Sequence, residues 1–174
     1  MSTTSFFNFS FLPKYGTMFV QGIEYTLLLS VFAVLLAILP AMLLAILRLS
    51  KNKVVRFLSG LYIDVFRATP LLVQISLIYF GLFNFIKLPS VYLFGFINIA
   101  MFVPGVVALS LNSAAYVAEI FRAGILAVDI GQTEAARSLG LSSAAAMTKV
   151  VLPQAVKNVL PALANEIITM VKES

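Results

Sequence analysis

The sequence lacks several residue types on which common protein chemistry depends. It has no cysteine and no histidine, which excludes disulfides, thiolate nucleophiles, most zinc sites and any serine–histidine triad. Only 11% of its 174 residues are charged, whereas soluble domains carry about 25%, and high charge is also what disorder requires. What the chain has instead is hydrophobic residues, at 61%. This composition predicts a membrane protein.

The hydrophobic residues form long runs bounded by charges. Uncharged runs of 23, 19 and 31 residues lie between Glu24 and Arg48, between Arg67 and Lys87, and between Lys87 and Glu119. Since a helix of about 20 apolar residues crosses a bilayer core, we predict spans at about 25–47, 68–86 and 99–121. The external loop then contains LPSVYLFGFIN, and residues 1–21 are an interfacial or disordered external start. The predicted fold is an all-α polytopic membrane protein.

A fourth span is predicted at about 152–171, on weaker grounds. This segment carries Lys157 and Glu166 and two prolines, so hydropathy alone leaves its crossing undecided. An ionisable residue within a span should face protein or water.

The basic residues predict the orientation in the membrane. If the spans alternate, nine of the twelve lie on one side, in segments 48–67 and 122–157. Because positive loops stay cytoplasmic, the N-terminus is predicted outside and these segments inside. A nucleic-acid patch is disfavoured, since apolar spans interrupt the basic residues. Asp64 and Arg67, three residues apart, are predicted to form a local ion pair.

The segment 119–153 has the start and stop signals of two helices joined by a turn. Asp129 is a candidate N-cap with Gln132 as a variant capping box, and Gly140 is placed to end the first helix. Ser142 or Ser143 would cap the second. A small alanine-bearing helix suits docking into a groove of another protein, but the residues alone favour a re-entrant or amphipathic linker. A DNA-reading helix-turn-helix fits poorly, because the second helix has Lys149 as its single cation.

The same segment resembles the EAA motif of ABC importer permeases. Glu134-Ala135-Ala136, three residues, Gly140, nine residues, Val150 and then Leu152-Pro153 reproduce its spacing over 20 positions, with valine where isoleucine is usual. RATPLLVQ (67–74, with alanine where glycine is commoner), AEIFRAGI (118–125), GQ (131–132) and the opening GIEYTLLLS resemble the polar amino-acid branch.

This resemblance implies a type I ABC importer permease fold over residues 22–174, with the cytoplasmic coupling segment at 122–151. It implies a bacterial inner-membrane permease for polar amino acids of the glutamine, glutamate or basic type. The implied partners are cytoplasmic ABC ATPase subunits, a second permease chain in a homo- or heterodimer, and an extracytoplasmic binding protein. ATP and Mg would be bound by the ATPase, with no cofactor, metal or catalytic residue in this chain. The implied ATPase-coupling residues are Gly131, Gln132, Glu134, Ala135, Ala136, Arg137, Leu139, Gly140, Leu152 and Pro153.

One departure from the family concerns the C-terminal end. Family members usually have five spans, the last beyond a stretch like the one in which Ser174 lies. The resemblance therefore predicts that the last helix is lacking, as in a fragment or a truncated, non-transporting remnant. A stand-alone small carrier or channel is a further alternative. An intramembrane enzyme is disfavoured by the missing histidine and cysteine.

Polar residues within the predicted spans are candidates for the substrate path. Asn112, Tyr116 and Glu119 share one helical face because they lie at i, i+4 and i+7. They could contact the ammonium and carboxylate of an amino acid, or they could form hydrogen bonds between helices. Gln74 is a weaker candidate, and the glycines at 22, 60, 81 and 105 are predicted to allow close packing. The substrate-path candidates are Asn112, Ser113, Tyr116, Glu119, Asn165 and Glu166.

Overall fold

The computed structural model describes residues 12–173, of which most are helical. Within these residues eight α-helices follow one another, with two π-helical stretches between them. The α-helices are α1 (Leu12–Arg48), α2 (Lys53–Ala68), α3 (Leu71–Ser76), α4 (Phe83–Phe85), α5 (Ile99–Leu126), α6 (Ile130–Ser138), α7 (Ser143–Ala146) and α8 (Leu152–Glu173). The stretches π1 (Leu77–Leu82) and π2 (Met147–Val151) continue the helix before them.

Helix α1 begins 13 residues before the predicted first span. The part of the predicted external start that precedes Leu12 lies outside the described residues, and Pro13 to Glu24 belong to the helix. Pro40 lies inside the helix without ending it. The helix is 37 residues long, so it exceeds the roughly 20 residues that a bilayer core requires.

Two described helices, α1 and α5, are long and apolar enough to cross a membrane. A third crossing is possible if α2 and the α3–π1–α4 segment count as one broken span, since they meet at 106°. The bend lies at Thr69-Pro70, where proline disfavours a helical conformation for the residue before it. Helix α8, the segment predicted as the fourth span, is not among the helices that meet this test.

The predicted external loop is largely irregular, with one small hairpin. Strands β1 (Tyr92–Leu93) and β2 (Ile97–Asn98) pair antiparallel, with Leu93 opposite Ile97. The turn between them passes through Phe94 and Gly95, both with positive φ. Asn98 then caps α5 by accepting a hydrogen bond from the Ala100 amide at 2.9 Å.

Helix α5 is the centre of the bundle, with α1, α2, α3 and α8 packed against it. The α1 side of this packing is a row of alanines at every fourth position, all buried: Ala33, Ala37, Ala41 and Ala45. On α5, Ala108, Ala114, Ala115 and Ala118 are buried as well. Small side chains allow two backbones to approach closely, which is how helices associate in lipid, where burial of apolar area provides little driving force.

Two buried clusters stabilise the bundle. One joins α1 to α5 and α8 through Leu29, Leu109 and Met170, and the other joins α1, α2 and α5 through Ala41, Ile63 and Val117. Large side chains on the other faces of α1 are exposed, including Leu35, Leu39 and Leu43. An apolar surface of this kind suits contact with lipid.

Candidate functional site

Helix α6 lies between α5 and α8 and carries the predicted coupling residues. Asp129 is its N-cap, as predicted, because one carboxylate oxygen accepts a hydrogen bond from the Gly131 amide at 2.6 Å. The capping box is not formed: the Gln132 side-chain oxygen accepts a hydrogen bond from Gln154 on α8 at 3.3 Å. The Gln132 side chain, which could have closed the capping box, instead connects α6 to α8 through this hydrogen bond.

The C-terminal end of α6 is closed by a Schellman motif at Gly140. The Gly140 amide donates to the Arg137 carbonyl at 3.0 Å, and the Leu141 amide donates to the Ala136 carbonyl at 3.2 Å. Gly140 has φ of +86°, a left-handed conformation that disfavours other L-residues. The predicted role of this glycine as the helix stop is therefore confirmed.

The structure turns most of the predicted coupling residues outward. Ala136 is buried and Gly131 is half-buried, whereas Leu139 is 83% exposed and Ile130, at the other end of α6, is 74% exposed. Ala136 therefore anchors the helix, while Ala135 and Leu139 are exposed. The remaining predicted coupling residues are exposed: Gln132, Glu134, Arg137, Gly140, Leu152 and Pro153.

Short connections hold α6 against the helices that follow it. The Arg137 guanidinium donates to the Ser143 hydroxyl, and Ser142, as predicted, caps α7 by accepting from the Ala145 amide at 3.2 Å. The helix then adopts the wider π-helical form, as π2, just before Pro153. A π-helical turn provides room for a proline ring, which would otherwise collide with a carbonyl four residues earlier.

The six substrate-path candidates do not form one site. Asn165 is exposed on α8, whereas Glu166 is buried and its carboxylate makes no hydrogen bond or ion pair with any other residue in 12–173. On α5, Glu119 accepts a hydrogen bond from Arg122 at 2.9 Å, so its charge is balanced locally. Tyr116 lies under the Arg67 guanidinium, 5.3 Å from the ring centre, in cation–π geometry.

Asn112 and Ser113 are the most deeply buried of these candidates. The Asn112 amide donates to the Gln74 side-chain oxygen at 2.9 Å and to the Phe66 carbonyl at 3.4 Å. The Asn112 side-chain oxygen and the Ser113 hydroxyl have no hydrogen-bond partner among the described residues. Buried polar atoms without partners are uncommon, so these two mark a place where a ligand or another chain could bind.

Gln74, predicted only as a weaker substrate-path candidate, has a structural role that the sequence did not show. Its amide nitrogen donates to the Phe66 carbonyl at 2.7 Å, the Thr69 carbonyl at 3.1 Å and the Thr69 hydroxyl at 2.7 Å. These acceptors lie at the end of α2, where the bend before Pro70 leaves carbonyls without helical partners. Gln74 therefore stabilises the 106° corner and, through Asn112, connects it to α5. The proline of RATPLLVQ, four residues before the glutamine, was the signal in the sequence.

Two further expectations are corrected by the structure. Asp64 pairs with Arg48 at 3.4 Å rather than with Arg67, because α2 folds back alongside the end of α1. Of the glycines predicted to allow close packing, Gly22 and Gly81 have no atom within 4 Å of the position that a Cβ would occupy, whereas Gly60 and Gly105 do. Gly124, which the sequence did not mark, allows α5 and α8 to approach closely, since a Cβ there would lie 2.2 Å from a Val159 methyl.

Comparison with known proteins places this geometry in a family. Residues 33–174 match the family described as binding-protein-dependent transport system inner membrane component. The chain is 44% identical to a putative glutamine transport system permease protein GlnP of Rickettsia felis over 94% of its own length and 71% of that protein. It is 43% identical to the arginine transport system permease protein ArtQ of Bacillus subtilis over 89% and 67%.

A solved structure has the same fold. A crystal structure described as an amino acid ABC transporter with histidines superposes with a TM-score of 0.84 at 47% identity, covering 97% of this chain and 74% of that one. The predicted type I permease fold is thereby confirmed. The chain belongs to the binding-protein-dependent transport inner membrane components and, within them, to the permeases of amino-acid ABC transporters.

Proposed function

We propose that this chain imports polar amino acids, driven by ATP hydrolysis in separate ATPase subunits that dock on α6. The observation that carries the proposal is a rigid, capped helix with outward-facing Glu134, Ala135 and Leu139, held between two helices of the bundle. A partner that pushes on α6 moves α7 and α8 with it, since Arg137 is hydrogen-bonded to Ser143 on α7 and Gln132 to Gln154 on α8.

The remaining subunits follow from the same proposal. A second permease chain, identical or related, would complete the translocation path, and a binding protein outside the membrane would deliver the amino acid. ATP and Mg would be bound by the ATPase, and this chain would have no catalytic role. The N-terminus would lie outside the inner membrane and α6 in the cytoplasm, because most basic residues lie on the α6 side.

The polar amino acids proposed as substrates are of the glutamine, glutamate or basic type. This class is supported by relatives whose names specify glutamine, arginine and octopine transport. The candidate substrate path on α5 is supported by the unpartnered Asn112 oxygen and Ser113 hydroxyl, which can bind the ammonium of an amino acid. Tyr116, Glu119, Asn165 and Glu166 are retained as candidates, although the structure disperses them.

Docking on α6 is tested with a matched pair of variants. Glu134→Gln alters the exposed face of α6, and Glu173→Gln makes the same chemical change at an exposed position of α8. Glu134→Gln should lower ATP-dependent uptake and co-purification of the ATPase at least tenfold, because a close interfacial charge pair contributes about 1.5–7 kcal/mol. Glu173→Gln should leave both unchanged. Both measurements use the permease reconstituted with its ATPase and binding protein.

Two results would contradict the proposal. Wild-type ATPase binding and uptake in the Glu134→Gln variant, and in a Leu139→Asp variant that places a charge on the exposed tip, would show that α6 is not the docking element. Amino-acid uptake by liposomes that hold this chain alone, without ATP, would show a stand-alone carrier instead.

A further inference from the structure

A basic pocket lies where the end of α1, the start of α2 and the end of α5 meet. Its volume is about 520 Å³, and it is lined by Arg48, Lys53, Arg56, Phe57 and Arg122. Four of the five lining residues are cations and none is a carboxylate. Such a pocket has a positive potential that attracts an anion.

Nearby acids neutralise only half of this charge. Arg48 pairs with Asp64 at 3.4 Å, and Arg122 donates to Glu119 at 2.9 Å. Lys53 and Arg56 are exposed, and no carboxylate among residues 12–173 lies within 4 Å of either. The pocket therefore retains two unbalanced positive charges, a good match for a phosphate group.

Helix α2 leaves room for the Arg48 side chain in the wall of the pocket. A Cβ at residue 60 would lie 1.2 Å from a guanidinium nitrogen of Arg48, so the glycine there leaves the space that this side chain occupies. The same nitrogen donates to the Arg56 carbonyl at 3.4 Å. The guanidinium is thus held across α2 rather than extended into solvent.

An apolar stripe on α2 adjoins the pocket. It consists of exposed residues at positions that repeat every three or four along the helix: Val54, Phe57, Leu58, Leu61 and Val65. Phe57, which is 66% exposed, belongs to both the pocket and the stripe. A helix with basic residues on one side and a large apolar face is typical of an element lying at the membrane interface.

We propose that this pocket binds the phosphate headgroup of an anionic phospholipid, with the acyl chains along the exposed stripe of α2. Basic pockets between helices at the cytoplasmic surface are suited to such headgroups. A free phosphate would use the cations but not the stripe. A second copy of this chain would bring two unbalanced positive charges against two, which is unfavourable.

The proposal is tested on the purified full chain in detergent, by native mass spectrometry with phosphatidylglycerol or phosphatidylcholine added. The test variant is Lys53→Gln/Arg56→Gln, which removes the two unbalanced cations. The matched control is Lys149→Gln/Lys157→Gln, which removes two exposed cations outside the pocket. Helicity and elution volume report whether each variant is folded.

The wild type should bind phosphatidylglycerol in preference to phosphatidylcholine, and the test variant should lose about 30-fold in affinity, since each cation near an anionic surface contributes about fivefold. The control should retain wild-type affinity. Equal loss in both variants, or equal binding of the two lipids, would overturn the proposal. So would glycerol phosphate that displaces the lipid at equal concentration, because the ligand would then be a free phosphate. A pocket variant that keeps its lipid but loses the ATPase would assign the pocket to that partner.

Discussion

At the residue scale, the smallest side chains set how closely the helices pack. Gly124 on α5 faces Val159 and the Ala155 carbonyl on α8, which lie 2.2 and 3.3 Å from the position a Cβ would take. Gly22 on α1 has no atom within 4 Å of that position. Both are helical, so alanine provides the same gain in helix propensity at each, and the difference between them measures packing alone.

Gly124→Ala should therefore be less stable than Gly22→Ala by about 1–3 kcal/mol, the usual cost of overpacking. The measurement is the free energy of unfolding of each variant in mixed micelles, followed by loss of helicity. Equal stability of the two variants would show that α8 moves away from α5 at no cost.

At the scale of the elements, the decisive feature is the corner between α2 and α3. Pro70 has no backbone N–H to donate there. The Gln74 side-chain amide donates hydrogen bonds to the Phe66 and Thr69 carbonyls instead. Asn112 on α5 then donates to the Gln74 oxygen. A buried network of this kind is stable only when every member is present, because a lone remaining polar group has lost water without gaining a partner.

Gln74→Leu and Asn112→Leu should each destabilise the chain, and the double variant should be more stable than the sum of the two losses predicts. The expected coupling is about 0.5–2 kcal/mol, as for hydrogen bonds between membrane helices. A cycle of Gln74→Leu with Ser76→Ala is the control, since the Ser76 hydroxyl donates to the Leu72 carbonyl on the same helix. Additivity in both cycles would show that Gln74 and Asn112 act separately.

At the scale of the whole molecule, the open question is orientation. The structure places α6 and the hairpin loop at opposite ends of α5, and the distribution of basic residues puts the α6 end in the cytoplasm. Because the chain has no cysteine, any introduced cysteine is the sole reactive thiol.

Ser90→Cys, in the exposed loop, should react with an impermeant maleimide added outside intact cells. Ser138→Cys, exposed on α6, should react only after the membrane is opened. Leu35→Cys, on the exposed apolar surface of α1, is the control and should react poorly in both conditions, because lipid is expected to cover it. Labelling of Ser90→Cys and Ser138→Cys from the same side would contradict the proposed topology.

What the sequence determined is local. Charge spacing predicted the long apolar helices α1 and α5, since a bilayer core requires at least about 20 apolar residues. Asp129, Gly140 and Ser142 marked helix ends, because caps depend on neighbouring residues alone. The EAA spacing indicated the family for a similar reason, because the residues of this motif lie near one another in the chain.

Tertiary structure decided which side chains meet. The partner of Asp64, the contact of Gln74 with Asn112 and the pocket beside Gly60 join residues far apart in the chain, and only the fold-back of α2 against α1 and α5 brings them together.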